Sequence, residues 1–66
     1  MDFRLTSAND GTFLIRPISA KGEVFWKENN LYRFVCDNKS EYYVIRSENQ
    51  REICDLIREN DMDFKD

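Results

Sequence analysis

Apolar and polar residues alternate at the start of the chain and give way to a more continuous apolar run after the first turn. In residues 2–6, Phe3 and Leu5 alternate with polar residues, which is the period of a half-buried strand. Because this strand is short and charged, we expect it at a sheet edge. The Asp-Gly pair at residues 10–11 is typical of a hairpin turn. Residues 12–18 follow as a strand whose consecutive apolar residues predict a central position.

A proline separates this strand from the first predicted helix. Pro17 ends the strand because it lacks a backbone N–H and forces the preceding residue into an extended conformation. Ser19 is then placed to cap a helix that begins at Ala20. Gly22 weakens that helix, and a strand over residues 23–27 fits the pattern nearly as well. The predicted inward face of the helix and its flanks comprise Ala20, Val24, Leu31, Phe25 and Trp26.

The second half of the chain predicts a hairpin followed by a helix. Residues 31–36 and 41–46 are rich in β-branched and aromatic residues and flank a polar turn. Ser47, with Gln50 three residues later, makes a capping box for the helix. Its apolar stripe comprises Ile53, Leu56, Ile57 and Phe64. We expect this stripe to pack on sheet residues that include Phe13, Ile15, Val35 and Val44.

The predicted element order is β-β-α-β-β-α, which indicates a single α+β domain over residues 1–66. We expect a small layer pair in which two helices cover one face of a four-stranded sheet. The other face is then open to solvent or to another protein.

Composition adds limits to this picture. A length of 66 residues and a hydrophobic fraction of 41% predict one folded domain of marginal size. Cys36 and Cys54 lie in apolar-patterned segments, where we expect buried, reduced thiols. Two cysteines without a histidine exclude a four-ligand structural zinc site within one chain, and we expect no metal or cofactor. No stretch has the ~18 apolar residues of a membrane span or the pattern of a signal peptide, so we expect a cytoplasmic protein.

Acidic residues are concentrated towards the C-terminal end of the chain, whose net charge is −3. Residues 47–66 carry seven Asp/Glu and three Lys/Arg, whereas residues 1–46 carry six Asp/Glu and seven Lys/Arg. Proteins that bind phosphate backbones do so with clustered Lys and Arg. Nucleic acid is therefore an unfavoured partner of this sequence.

Four carboxylates recur at i, i+4, i+7 and i+11 of the second predicted helix and therefore share one narrow stripe. They are Glu48, Glu52, Asp55 and Glu59. We call these residues the acidic stripe. It is either a solvated face or a surface that docks on a basic groove of a partner protein. A second candidate surface is the open sheet face, with Tyr32, Tyr42 and Tyr43.

The join between the first strand pair and the first helix carries a family resemblance. The matching residues are Arg16, Pro17, Ile18, Ser19, Ala20, Trp26, Glu28 and Asn29. This pattern resembles a group of short phage and prophage proteins with a strand ending in Arg-Pro-Leu-Thr and a Trp-containing helix. Ile18 stands where Leu is usual, and Gly22 interrupts the helix. The resemblance implies the element order and a phage setting, and it assigns no catalytic residue.

The residue types present leave three hypotheses for the function. The chain has no histidine and therefore no Ser–His or Cys–His pair, and it has no phosphate-binding glycine motif, so we expect no enzyme. The favoured hypothesis is an inhibitor or adaptor, including an anti-defence protein, that binds a host protein. The alternative is an assembly module that forms a homodimer, because a one-sided core leaves apolar surface to bury. A nucleic-acid-binding regulator is the least favoured because of the charge.

Overall fold

The computed structural model describes residues 1–8 and 10–65. The strands in this part of the chain are β1 (Phe3–Ser7), β2 (Thr12–Pro17), β3 (Val35–Lys39), β4 (Tyr42–Arg46) and β5 (Phe64–Lys65). The helices are α1 (Ala20–Glu28) and α2 (Gln50–Glu59), and 3₁₀ turns at Leu31–Phe34 and Ser47–Asn49 precede β3 and α2. The predicted α+β class is confirmed, and the helical alternative for the segment after Pro17 is the correct one.

The sheet has five strands among the described residues, so the predicted four-stranded layer pair is wrong. Within the described residues its strand order is β3-β4-β2-β1-β5, and all neighbours are antiparallel except β1 and β5. The central position of β2 is confirmed. The expected edge position of β1 is wrong, because Phe64 and Lys65 pair in parallel with Phe3 and Arg4. Phe64 therefore belongs to a strand and not to the stripe of α2.

One face of the sheet carries the hydrophobic core. Cross-strand partners point to the same side of a sheet, and the buried strand residues are all linked by such pairs or by the alternation along a strand. These residues are Phe3, Leu5, Phe13, Ile15 and Ile45. They form one cluster with buried helical and turn residues that include Phe25, Trp26, Leu31, Ile53 and Ile57. The predicted packing of Ile53 and Ile57 on Phe13 and Ile15 is confirmed.

Three residues of the predicted core differ from the expectation. Ile45 is fully buried, so its neighbour Val44 points to the opposite face of the sheet and is half-buried there. Leu56 and Val35 are half-buried and pack against the margin of the core. The prediction that Val44 belongs to the core is therefore wrong, because alternation shows that Val44 and Ile45 face opposite sides of the sheet but not which of the two is buried.

Helix α1 is turned relative to the predicted orientation. Ser19 caps it as expected, because its Oγ accepts a hydrogen bond of 2.9 Å from the Gly22 N–H. The buried residues of the helix are Gly22, Phe25 and Trp26, whereas Val24 is 54% exposed and Ala20 is exposed. The larger aromatic area is the more favourable to bury, so the predicted Ala20–Val24 face turns outward.

Gly22 allows a close backbone contact at the start of α1, although glycine has a low helix propensity. A Cβ atom built at this residue would lie 2.6 Å from the backbone oxygen of Asp2. That oxygen accepts a hydrogen bond of 2.9 Å from the Ile18 N–H, and the Asp2 carboxylate accepts one of 2.7 Å from the Ser19 hydroxyl. The glycine therefore lets the N-terminal segment lie directly against the start of α1.

The segment predicted as the strand 31–36 is strand only at its end. Leu31–Phe34 forms a 3₁₀ turn, and the pairing of β3 with β4 is irregular between Val35 and Asp37. Cys36 lies at this irregularity and is exposed, so its predicted burial is wrong. A bulge changes the direction of a side chain in a way that alternation cannot anticipate. The predicted burial of Cys54 is confirmed.

The expected capping box of α2 does not form. Helix α2 begins at Gln50 after the 3₁₀ turn, and among the residues that the structure describes no side-chain hydrogen bond caps either segment. The Ser47 backbone N–H instead donates a hydrogen bond of 2.9 Å to the Gly11 oxygen, which joins this turn to the first hairpin. Gly11 has φ +82°, as the hairpin prediction requires.

Candidate binding surfaces

The acidic stripe lies on the solvent side of α2. Ile53 and Ile57 are 0% exposed and hold the inner face of the helix against the core. Glu52, Asp55 and Glu59 are exposed on α2, and Glu48 is exposed in the 3₁₀ turn before it. The structure thus brings three of the four predicted carboxylates onto one regular helix, with the fourth at its entry.

Two members of the stripe have cationic neighbours. The Arg58 guanidinium lies 3.6 Å from the Asp55 carboxylate, and the Arg46 guanidinium lies 4.0 Å from the Glu48 carboxylate. All four side chains are more than half exposed, and exposed ion pairs contribute little to stability. Among the described residues no ion pair involves Glu52 or Glu59. A basic partner would therefore meet two unpaired carboxylates and two weakly held ones.

The three tyrosines of the second candidate surface do not share the open face of the sheet, so that prediction is wrong for Tyr32 and Tyr43. Tyr43 stacks on Trp26 on the core side of the sheet, with ring centroids 5.1 Å apart, and its hydroxyl donates a hydrogen bond of 3.3 Å to the Tyr32 hydroxyl. Tyr32 lies edge-on to both rings. Tyr42 follows the opposite alternation and lies on the open face. The hydrogen bond to Tyr32, burial and the charge of Glu23 raise the pKa of Tyr43 to about 12.

Trp26 leaves one polar atom without a partner. Its side chain is 1% exposed, and its indole Nε1 has no hydrogen-bond acceptor among the described residues. A cleft of about 130 Å³ borders this aromatic cluster and is lined by Pro17, Glu23, Trp26, Lys27, Tyr32 and Tyr43. The packing of the indole on Tyr43 and Phe3 accounts for its burial.

A more apolar groove runs between the outer side of α1 and the segment after α2. It has a volume of about 430 Å³, and Ala20, Val24, Phe25 and Met62 form its apolar lining. Lys21, Glu28 and Asn60 complete its rim. The sequence pattern missed this groove because it assigned Ala20 and Val24 to the core.

The open face of the sheet carries a feature that the sequence analysis also missed. Arg4 on β1 lies directly opposite Arg16 on β2 and Lys65 on β5. We call Arg16, Arg4 and Lys65 the cationic row. The half-buried pair Leu14 and Val44 lies on the same face. No local signal predicts the row, because Lys65 joins it only through the pairing of β5.

No known protein family, curated protein or solved structure matches this chain. Within residues 1–8 and 10–65, no group of three or more Asp, Glu, Cys and His side chains is placed to hold a metal ion. The helices of the described chain are all too short or too polar to cross a membrane.

Proposed function

We propose that this protein is a small, acidic, non-catalytic binding module whose acidic stripe docks on a basic surface of a partner protein. The observation that carries this proposal is the division of α2 into two faces. Its inner face is anchored by Ile53 and Ile57, which are 0% exposed, and its outer face presents Glu52, Asp55 and Glu59 to solvent. A binding surface on a helix fixed by the core loses little conformational freedom when a partner binds.

The charge pattern supports a role beyond solubility. Like charges one helical turn apart destabilise a helix by a few tenths of a kcal/mol, and only Asp55 of the three helical carboxylates has a cation within 4.0 Å among the described residues. A predominantly acidic surface of this kind accelerates association with a positively charged partner and selects against acidic ones. The stripe therefore suits recognition of a basic groove, including one that binds nucleic acid in the partner.

The resemblance of the Arg16–Asn29 region to short phage proteins directs the proposal towards a host protein. In this proposal the module acts in the host cytoplasm as an inhibitor or adaptor, with an anti-defence role as one form of it. It uses no metal, cofactor or catalytic residue. The homodimer remains the alternative function, and the open sheet face is the surface that supports it.

A pair of matched variants tests the stripe. The stripe variant carries Glu48→Gln, Glu52→Gln, Asp55→Asn and Glu59→Gln, which moves the net charge from −3 to +1. The control variant makes the same charge change at exposed acids elsewhere, by Glu23→Gln, Glu28→Gln, Glu41→Gln and Asp61→Asn. Neither variant removes a buried apolar side chain, so both should keep the circular dichroism spectrum and melting temperature of the parent to within a few degrees.

The readout is capture from a bacterial host lysate by immobilised parent, stripe variant and control variant at equal loading. We expect the parent and the control to retain the same host protein and the stripe variant to lose it. The association rate of the purified pair should fall as salt is added, because screening weakens steering. If the folded stripe variant retains the same protein as well as the parent does, the proposed role of the stripe is wrong.

A further inference from the structure

The cationic row places like charges where a sheet is least tolerant of them. Residues directly opposite each other on neighbouring strands have Cβ atoms about 5 Å apart, and like charges at such positions destabilise the sheet. Arg4 has a cationic partner on both sides, with Arg16 on β2 and Lys65 on β5. Of the three residues of the row, only Arg16 has an ion pair within the described part of the chain, with Glu41 at 2.9 Å. The row is therefore a site that gains from an anionic partner.

The dimensions of the row match those of the acidic stripe on α2. Adjacent strands lie about 4.8 Å apart, so the row extends over about 10 Å across three strands. Glu52 and Glu59 are seven residues apart, which corresponds to about 10 Å along the helix axis, with Asp55 between them. A helix that lies across the strands would thus place three carboxylates near three cations.

Within one molecule these two surfaces are kept apart by the core. Ile53 and Ile57 bind α2 to the core face of the sheet, whereas the residues of the row alternate with Phe3, Ile15 and Phe64 and point to the other face. The stripe of a chain therefore does not reach its own row, and only an intermolecular contact can bring the unpaired charges Arg4 and Lys65 to the unpaired charges Glu52 and Glu59 of the described chain.

We propose that the cationic row of one copy binds the acidic stripe of a second copy, so that the chains associate head to tail. This inference rests on the stripe being a binding surface, as in the proposed function, and it names a second copy as one of its partners. Because the two surfaces differ, each bound pair keeps one free row and one free stripe, and association continues beyond the dimer. The contact consists of exposed ion pairs, so the assembly is weak and sensitive to salt.

Two complementary variants give a direct test by sedimentation velocity. The row variant carries Arg4→Gln and Lys65→Gln, and the stripe pair variant carries Glu52→Gln and Glu59→Gln. In about 0.01 M NaCl we expect the parent to sediment as a mixture of species larger than the monomer, and each variant alone to be monomeric. Mixing the two variants should restore a complex that stops at the dimer, because only one functional row and one functional stripe remain.

Matched controls separate this contact from a general effect of net charge. Lys21→Gln with Lys27→Gln removes two exposed cations from α1, and Glu23→Gln with Glu28→Gln removes two exposed acids from it. Both controls should associate as the parent does. Association of the parent should disappear in about 0.5 M NaCl, where the Debye length is only a few ångströms.

Three results would overturn the inference. The first is a parent that stays monomeric at low salt and high concentration, whatever the stripe variant does in the capture experiment. The second is a dimer that persists in both variants and at high salt, which would assign self-association to an apolar surface such as the groove lined by Ala20, Val24, Phe25 and Met62. The third is a monomeric parent that binds a labelled single-stranded oligonucleotide through Arg4 and Lys65, which would make the row a nucleic-acid surface.

Discussion

The substitution Gly22→Ala changes the stability of the fold through two physical effects of opposite sign. Alanine is favoured over glycine in the interior of a helix by about 1 kcal/mol. From helix propensity alone, the variant should therefore be more stable than the parent. The structure predicts the reverse, because the new Cβ atom would lie 2.6 Å from the backbone oxygen of Asp2.

The loss of stability in Gly22→Ala depends on which atoms must move to relieve the clash. The overlapping atom belongs to the backbone, so relief of the clash shifts the N-terminal segment and weakens the 2.9 Å hydrogen bond from the Ile18 N–H to Asp2. Overpacking of this kind costs about 1–3 kcal/mol, and a lost backbone hydrogen bond costs about 1 kcal/mol. After the gain in helix propensity, the variant should be less stable by about 1–3 kcal/mol, which is a fall of roughly 5–20 °C in melting temperature for a domain of this size.

Thermal unfolding followed by far-ultraviolet circular dichroism measures this difference. Lys21→Ala is the matched control, because Lys21 is exposed in the same turn of α1 and its substitution adds no atom near Asp2. It should melt within a few degrees of the parent. A Gly22→Ala protein that melts at or above the parent temperature would refute the packing argument and leave helix propensity as the dominant effect.

Three further predictions concern the core, an acid-sensitive contact and a turn. Ile57→Ala should lower the free energy of unfolding by about 2–5 kcal/mol, whereas Val44→Ala on the open face should lower it by less than half as much in the same urea titration. The hydrogen bond from Ser19 lowers the pKa of Asp2 below its usual 3.8, so this contact stabilises the fold above that pH and is lost as the pH falls through the folded-state pKa. Asp2→Asn should therefore flatten the decline in melting temperature below about pH 4. An unchanged decline would show that this contact does not contribute to acid sensitivity. Ser40 has φ +58°, so Ser40→Gly should raise the free energy of unfolding by about 0.5–1 kcal/mol, and a less stable variant would show that the turn has another requirement.

The separation of charge between the two faces explains why overall composition was a poor guide to the surface. A net charge of −3 describes the whole chain, and it led to the expectation that nucleic acid is an unfavoured partner, with no sign of a cationic row. The alternation of β1 and β2 sends Arg4 and Arg16 to the face opposite Phe3 and Ile15, while the acids of α2 lie beyond the core. A local field on one face therefore has the opposite sign to the total.

The elements that the sequence determined by itself are those whose residues are close together along the chain. The 3.6-residue period of Ile53 and Ile57 defined both the buried face of α2 and the acidic stripe opposite it. The first hairpin followed from alternation and the glycine at Gly11, and the Ser19 cap followed from the residue types after Pro17. In each case the signal and the structure extend over fewer than about twenty residues, so local geometry was sufficient.

Tertiary structure alone decided the features that depend on distant partners. The two residues of β5 have no period of their own, and they are a strand because Phe3 and Arg4, at the other end of the sequence, offer a free edge. That pairing displaced β1 from the edge and completed the cationic row. The rotation of α1 and the choice of Ile45 over Val44 have a similar cause. A local pattern shows which residues share a face, but which face is buried depends on the total area that the rest of the chain can cover.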